Sequence, residues 1–270
     1  MDLAPTGDLL VDTAVTSPSP GCYDTIIRAG YGAGAGVPNG GLLLAIMTRA
    51  MADTAQRPAL LTVTAQYLRR SRPGPATVAT EILRSGRMVM TRARLEQAGD
   101  VAIHASGIFA DRAVLPRRTH VDMTPPDLPD PDTCLALDDL PDAVVRGFPP
   151  IFHRLDHRIP SEQLRFVHGT MDAHASVAGW YRPLVGRADE IAVPFLMDAL
   201  FPPVFNIGMR AFVPTLEFTV QVRRPPGDDW LRYRFTTRAI SGGVMEEDGQ
   251  LWTAGGELIA LSRQTALPSD

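Results

Sequence analysis

Leu42, Leu43, Leu44, Ala45, Ile46 and Met47 follow one another without a polar position, opening a segment that runs to about Gln56. Pro38 and Asn39 stand before it as helix-start signals. A helix that is apolar on every side must be covered nearly all round, and a curved sheet would do that. Three stretches with strand character follow: LLTVTAQYL, TVATEIL and the long MVMTRARLEQAGDVAIHASGIF. Turn signals at Arg72-Pro73-Gly74, Ser85-Gly86 and Ala98-Gly99-Asp100 separate or divide them. Adjacent strands on short turns imply an antiparallel sheet. Upstream, a first strand is expected through Tyr23, Ile26 and Ile27. Residues 1–20, rich in Pro, Ser and Thr and without periodicity, read as a flexible arm.

The chain then repeats itself. In the first half NGGLLLAIMTRAMADTAQ leads into LLTVTAQYLRRSRPG; in the second, ADEIAVPFLMDALF leads into TLEFTVQVRRPPG. This divides the molecule into an N-terminal unit over 21–110, a Pro- and Asp-rich linker over 111–150 and a C-terminal unit over 151–270. The second unit is expected to open with FHRLDHRI as a strand, continue through SVAGWYRPL and a helix over 188–201, and close with three more strands ending at LIALSRQTAL. Pro194 falls inside that helix, where proline removes a hydrogen bond at a cost of about 3 kcal/mol, so a kink is expected there. A duplicated helix-plus-sheet unit gives an α+β class and places the functional site between the halves.

Composition narrows the chemistry. At 270 residues, 45% hydrophobic and a net charge of −4, the chain has no general attraction to nucleic acid or anionic membrane. No apolar run reaches the roughly 20 residues of a membrane span, and the start MDLAPTGDLL is acidic, so a cytoplasmic location is expected. Cys22 and Cys134 are too far apart in sequence to form a disulfide framework and read as plain thiols. There is no lysine among the 26 basic residues. Schiff-base and pyridoxal phosphate enzymes, P-loop hydrolases and kinases, which depend on a lysine amine, are therefore excluded.

Asp198 is the outstanding polar residue, because Phe195, Leu196, Met197, Ala199 and Leu200 surround it with apolar neighbours. Helical spacing sets it on one face with Ile191 and Phe195. Two readings follow: a buried carboxylate tuned for general-base work, or an acid on the exposed side of a partly covered helix. Other signals are weak. Gly32, Gly34 and Gly36 lack the spacing and the βαβ setting of a dinucleotide loop. His153 and His157 have helical zinc-pair spacing in a strand-like setting. No GxSxG motif marks a serine nucleophile. Arg69, Arg70, Arg72, Arg223 and Arg224 end corresponding strands and read as solvated strand ends.

Asp198 in FLMDALF, Thr215 in PTLEFTVQVRRP and Gln264 in ELIALSRQ resemble, in order and element, the Asp/Thr/Gln constellation of the acyl-CoA thioesterase II family. The first half adds PNGGLLLA, YLRRSRPGPA and ILRSGR followed by RARLEQAGDVAIHASGIF, similar to a thioesterase-like subgroup whose helix enters through a Pro-Asn-Gly-Gly turn. The resemblance covers roughly 20–110 and 150–266. It implies a double HotDog fold, two antiparallel sheets each wrapping a long central helix. It also implies hydrolysis of acyl-CoA by direct water attack, without covalent intermediate, metal or cofactor, with Asp198 as base and Thr215 and Gln264 orienting the water.

The residues add their own constraints. Strict alternation puts Thr215 on a face with Glu217 and Thr219, away from Leu216 and Phe218, so a bulge or strand end is needed to aim it inward. Gln264 shares its face with Leu258 and Ala260. The first unit has Leu44 where the second has Asp198. It has instead Asn39, Gly40 and Gly41 at a helix N-terminus, candidates for substrate binding through N–H groups that polarise a carbonyl oxygen. The alternatives are a hydratase or dehydratase acting on acyl thioesters, or a non-catalytic acyl-CoA binding protein. The partner expected is acyl-CoA, with no nucleic acid and no membrane, in a homo-oligomer, most simply a dimer.

Overall fold

The structure, a computed structural model, describes residues 3–268 except 35, 210, 211 and 228, and not the side chain of residue 168. Strand β1 (Cys22–Ile27) precedes helix α1 (Gly40–Ala55), followed by β2 (Ala59–Tyr67), β3 (Gly74–Arg84), β4 (Met88–Gln97) and β5 (Asp100–Ala110). The second half contains β6 (Leu155–Arg158), β7 (Ala175–Pro183), helix α2 (Val193–Leu196), β8 (Thr215–Val222), β9 (Leu231–Thr237), β10 (Val244–Thr253) and β11 (Leu258–Ala266). One 13-stranded antiparallel sheet takes them in the order β1-β3-β4-β5-β2-β8-β11-β10-β9-β7-β6, with Thr16–Ser19 outside β1 and the short strand Ile240–Ser241 against β10. Among the described residues no helix is long and apolar enough to cross a membrane.

The two repeats meet at the centre of this sheet. β2 and β8, the strands that follow the two helices, pair antiparallel with Thr64 opposite Thr219, whose hydroxyls lie 2.9 Å apart. Each half therefore continues the other's hydrogen-bond ladder, and neither leaves a sheet edge at the junction.

α1 forms where the pattern placed it. Asn39 caps it by accepting from Leu42 N at 2.8 Å, and Gln56 ends it in the left-handed region at φ 52°, just before Arg57-Pro58. Leu42, Leu44, Ile46 and Met47 are completely buried, each worth roughly 1.5–3 kcal/mol of apolar transfer. Of its polar residues, Arg49 reaches the second half, its guanidinium making a two-point pair with Asp189 at 2.9 and 3.1 Å.

The second half departs from the expected copy. Where a helix over 188–201 was anticipated, Glu190–Ala192 form a 3-10 turn and α2 is only four residues long. Pro194 does not kink it but sits in its first turn, where a missing N–H costs nothing, and Pro202-Pro203 forbids continuation beyond Phe201. Among the described residues there is thus one long helix where two were expected. Aromatic rings complete the second core: Phe152 stacks on Phe148 at 4.9 Å and on Phe201 at 5.8 Å, and Phe166 meets Phe201 edge-on at 5.0 Å. Four long strands follow α2, one more than expected, because Leu231–Thr237 alternates as a strand of its own.

Two segments read as peripheral belong to the body of the protein. In the stretch read as an arm, Leu9–Asp12 is helical, and Asp12, 1% exposed, accepts from Thr6 N, Gly7 N and the Tyr31 hydroxyl. A buried carboxylate needs such donors, and it anchors the segment. In the linker, Leu137 and Leu140 are buried, Leu135 bridges Ile159 and the Trp180 indole donates to Pro129 O.

Candidate active site

Asp198 lies two residues beyond α2, against the N-terminus of α1. Its Oδ2 accepts from Gly41 N at 2.7 Å and from Asn39 Nδ2 at 2.8 Å; Asn39 Nδ2 also donates to the Asp198 carbonyl at 2.8 Å. These donors come from residues 157 and 159 positions away in the sequence. Asn39 is 2% exposed and uses both ends of its amide, the oxygen to cap α1 and the nitrogen to hold the acid. Gly41 is obligatory here: a Cβ would fall 2.5 Å from Pro194 O and 2.6 Å from Asp198 Cβ. The Tyr67 hydroxyl, on the last residue of β2, donates to Gly40 O at 2.9 Å and steadies the same turn.

Burial pushes the Asp198 carboxyl up to about 6, while the bonds from Gly41 and Asn39 pull it down. The positive end of α1 acts in the same sense as those bonds. The carboxyl is thereby poised just below neutrality. Tyr67 is held well above its ordinary value by burial and by the Asp198 charge, so its hydroxyl stays protonated.

Thr215 and Gln264 form the second cluster, with the Thr215 hydroxyl donating to Gln264 Oε1 at 2.7 Å. Thr215 reaches it through a bulge: Thr215 pairs with Ala266 while Glu217 pairs with Thr265, leaving Leu216 as the extra residue. The slip moves Thr215 from the Glu217 face to the inner face shared by Phe218, Gln264 and Ala266. Gln264 is 8% exposed, opposite Phe218 on one side and Glu247 on the other. Its Nε2 donates to Glu247 Oε1 at 2.7 Å. Burial pushes Glu247 up to about 8 against the pull of the Gln264 bond, and Asp198, Glu246 and Asp248 add to the rise. Among the described residues no hydrogen bond joins Asp198 directly to Thr215 or Gln264.

The six sequence-derived positions fall in two clusters, Asn39, Gly40, Gly41 and Asp198 in one and Thr215 and Gln264 in the other, with one reassignment. The Gly41 N–H, anticipated as a donor to a substrate carbonyl, is occupied by Asp198; the Gly40 N–H has no hydrogen-bond partner among the described residues. Two residues were missed. Glu247 was legible, since strand alternation sets it on one face with Met245 and Leu251, an acid in an apolar row. Tyr67 carried no comparable signal. The strand-end arginines make surface contacts: Arg69 pairs with Asp100 at 3.6 Å, Arg224 with Glu257, and Arg70 lies over the Phe212 ring.

Comparison with known proteins gives the family and the fold. The sequence model of the acyl-CoA thioesterase N-terminal domain matches residues 27–110, and that of the C-terminal domain matches residues 131–267. The second match begins inside the segment read as a linker. A search of curated proteins finds no match. Among solved structures, the chain is similar to a putative thioesterase II from Thermobifida fusca YX, at 24% identity and a TM-score of 0.85 over 99% of this chain and 100% of that one. A conserved protein of unknown function with a hot dog fold from Alicyclobacillus acidocaldarius gives 20% identity and a TM-score of 0.85, covering 97% of this chain and 98% of that one. An acyl-CoA thioesterase II, TesB2, from Mycobacterium marinum gives 19% and 0.74, with coverage of 97% and 98%. These likenesses show a hot dog fold. With both domain models matched in order, the chain belongs to the acyl-CoA thioesterase family and is a thioester hydrolase.

Proposed function

We propose that the protein hydrolyses acyl-CoA thioesters by direct attack of water, with Asp198 as general base and Thr215 and Gln264 orienting the water. The fold is read accordingly as a double hot dog that divides its chemistry between unlike halves. The observation that carries the mechanism is the Asp198 carboxylate, buried and held through one oxygen by Asn39 and Gly41 of the other half. Its second oxygen accepts no hydrogen bond from the described residues and is the one assigned to the water.

Asp198 takes a proton from water as the water oxygen bonds to the thioester carbonyl carbon, and the carbonyl electrons move onto oxygen. The Gly40 N–H at the start of α1, unpartnered among the described residues, is the backbone donor assigned to that oxygen. When the tetrahedral intermediate collapses, the C–S bond breaks and the proton on Asp198 passes to the departing sulfur, giving free acid and thiol. General-base assistance of this kind is worth roughly 10²–10⁴-fold, and holding the water in place adds to it.

The test is release of free thiol from a panel of acyl-CoAs of varied chain length. For the wild type, kcat/KM rises about tenfold per pH unit below about 6 and levels off above it. Glu247 and Tyr67 face the same site but stay protonated through this range. Near-normal turnover by Asp198→Asn would remove the general-base assignment.

A further inference from the structure

Behind the Thr215–Gln264 pair stands an acid for which this mechanism has no use. Glu247 is 7% exposed and sits directly opposite Gln264 in the β10–β11 ladder, in a row with Met245 and Leu251. A carboxyl group in an apolar strand face opposes folding unless its bonds compensate. Its hydrogen bond here is to Gln264 Nε2, at 2.7 Å.

The value of that bond follows from what it does to Gln264. A free glutamine side chain samples many rotamers, and fixing one of them costs entropy. Here the amide is held at both ends: Nε2 donates to Glu247 Oε1, and Oε1 accepts from the Thr215 hydroxyl. Without the partner at Glu247, one end of the amide is released and Thr215 faces a side chain free to turn away.

We infer that Glu247 is a positioning residue that holds the Gln264 amide against Thr215, in the place where the proposed mechanism uses the pair. This inference rests on the mechanism proposed above and deepens it.

The experiment compares Glu247→Gln, Glu247→Asp and Glu247→Leu with Gln264→Ala by steady-state thiol release from one acyl-CoA, with thermal melts on each. Glutamine keeps the reach and the acceptor, whereas aspartate withdraws the acceptor by one methylene and leucine removes it. Expected are kcat within about threefold of wild type for Glu247→Gln, and losses of about thirtyfold in kcat with KM within about threefold for the other two. Adding Glu247→Leu to Gln264→Ala should cost nothing further. If the leucine variant does not fold, Glu247→Asp carries the comparison, alone and combined with Gln264→Ala.

Wild-type kcat in Glu247→Asp, equal losses in Glu247→Gln and Glu247→Asp, or a further tenfold loss in the double variant would each overturn the inference. Gln264→Ala separates the two levels. If it turns over normally, the proposed site itself is wrong; if it is impaired while Glu247→Asp and Glu247→Leu are not, only the role of Glu247 falls.

Discussion

α1 and α2 precede β2 and β8, the two strands that pair at the central seam, and they are built in opposite ways. α1 has 16 residues, is capped by Asn39, and has an unbroken apolar opening. α2 has four residues, carries Pro194 in its first turn, and is followed two residues on by an acid. Neither would make a site alone. The long helix contributes backbone and amide donors at its N-terminus, and the short one contributes the carboxylate those donors hold. Shortening α2 is part of this arrangement, because Asp198 follows the last helical turn and so can meet the start of α1. Two ion pairs fix the approach: Arg49 with Asp189, and Arg112 with the buried Glu190.

The largest effect should come from the residue that has no counterpart in α1. Asp198→Asn is expected to lower kcat by roughly 10²–10⁴-fold. It should also raise the melting temperature at pH 7. The folded-state value of about 6 lies above the ordinary 3.8, so folding favours the protonated acid, and the penalty on the charged form grows as pH rises from about 4 to about 6. A neutral amide escapes it, and its oxygen can still accept from Gly41 and Asn39. A gain of a few degrees is expected; a marked fall would mean that the charge stabilises the contact between the helices.

Next is the contact itself. In Gly41→Ala the added methyl meets Pro194 O and Asp198 Cβ at under 3 Å, so the helices must separate. A displacement of about 1 Å at a base costs on the order of 10²-fold. Wild-type kinetics in this variant would show that Asp198 does not need its seat on α1.

Asn39→Ala should be milder. It removes the cap, worth about 1 kcal/mol, and one of the two donors to Oδ2. Because that bond holds the acid down, the low-pH limb of kcat/KM should move upward, with a loss of about tenfold near pH 6. A limb that stays in place would assign Asn39 to capping alone.

The smallest effect belongs to the seam. Thr219→Val deletes the hydroxyl contact with Thr64 and should cost about 1 kcal/mol or less, with turnover unchanged. A drop in activity would show that the site responds to the register between the halves.

Much of the fold was legible because its signals are local. The apolar run from Leu42 to Met47, the alternation in β2 to β5 and the Ala98-Gly99 turn are all written within a few residues. α2 was misjudged for the same reason: its composition is helical, and the two proline positions outweigh it. Thr215 shows the reverse. Its alternation pointed outward, and a one-residue slip against Ala266 and Thr265 turned it in, a matter of register that no local pattern carries. The arm was misread because Asp12 is buried by donors from Thr6, Gly7 and Tyr31, and Tyr31 lies 19 residues ahead of it in the chain.

By itself the sequence determined that this protein has a repeated helix-and-sheet unit, a first helix that must be enclosed, and one acid set among apolar neighbours. It also excluded every mechanism that needs a lysine. Only the tertiary structure decided what that acid is. A carboxylate's proton affinity depends on its burial and on its donors, and both donors to Asp198 Oδ2 come from the other half of the chain.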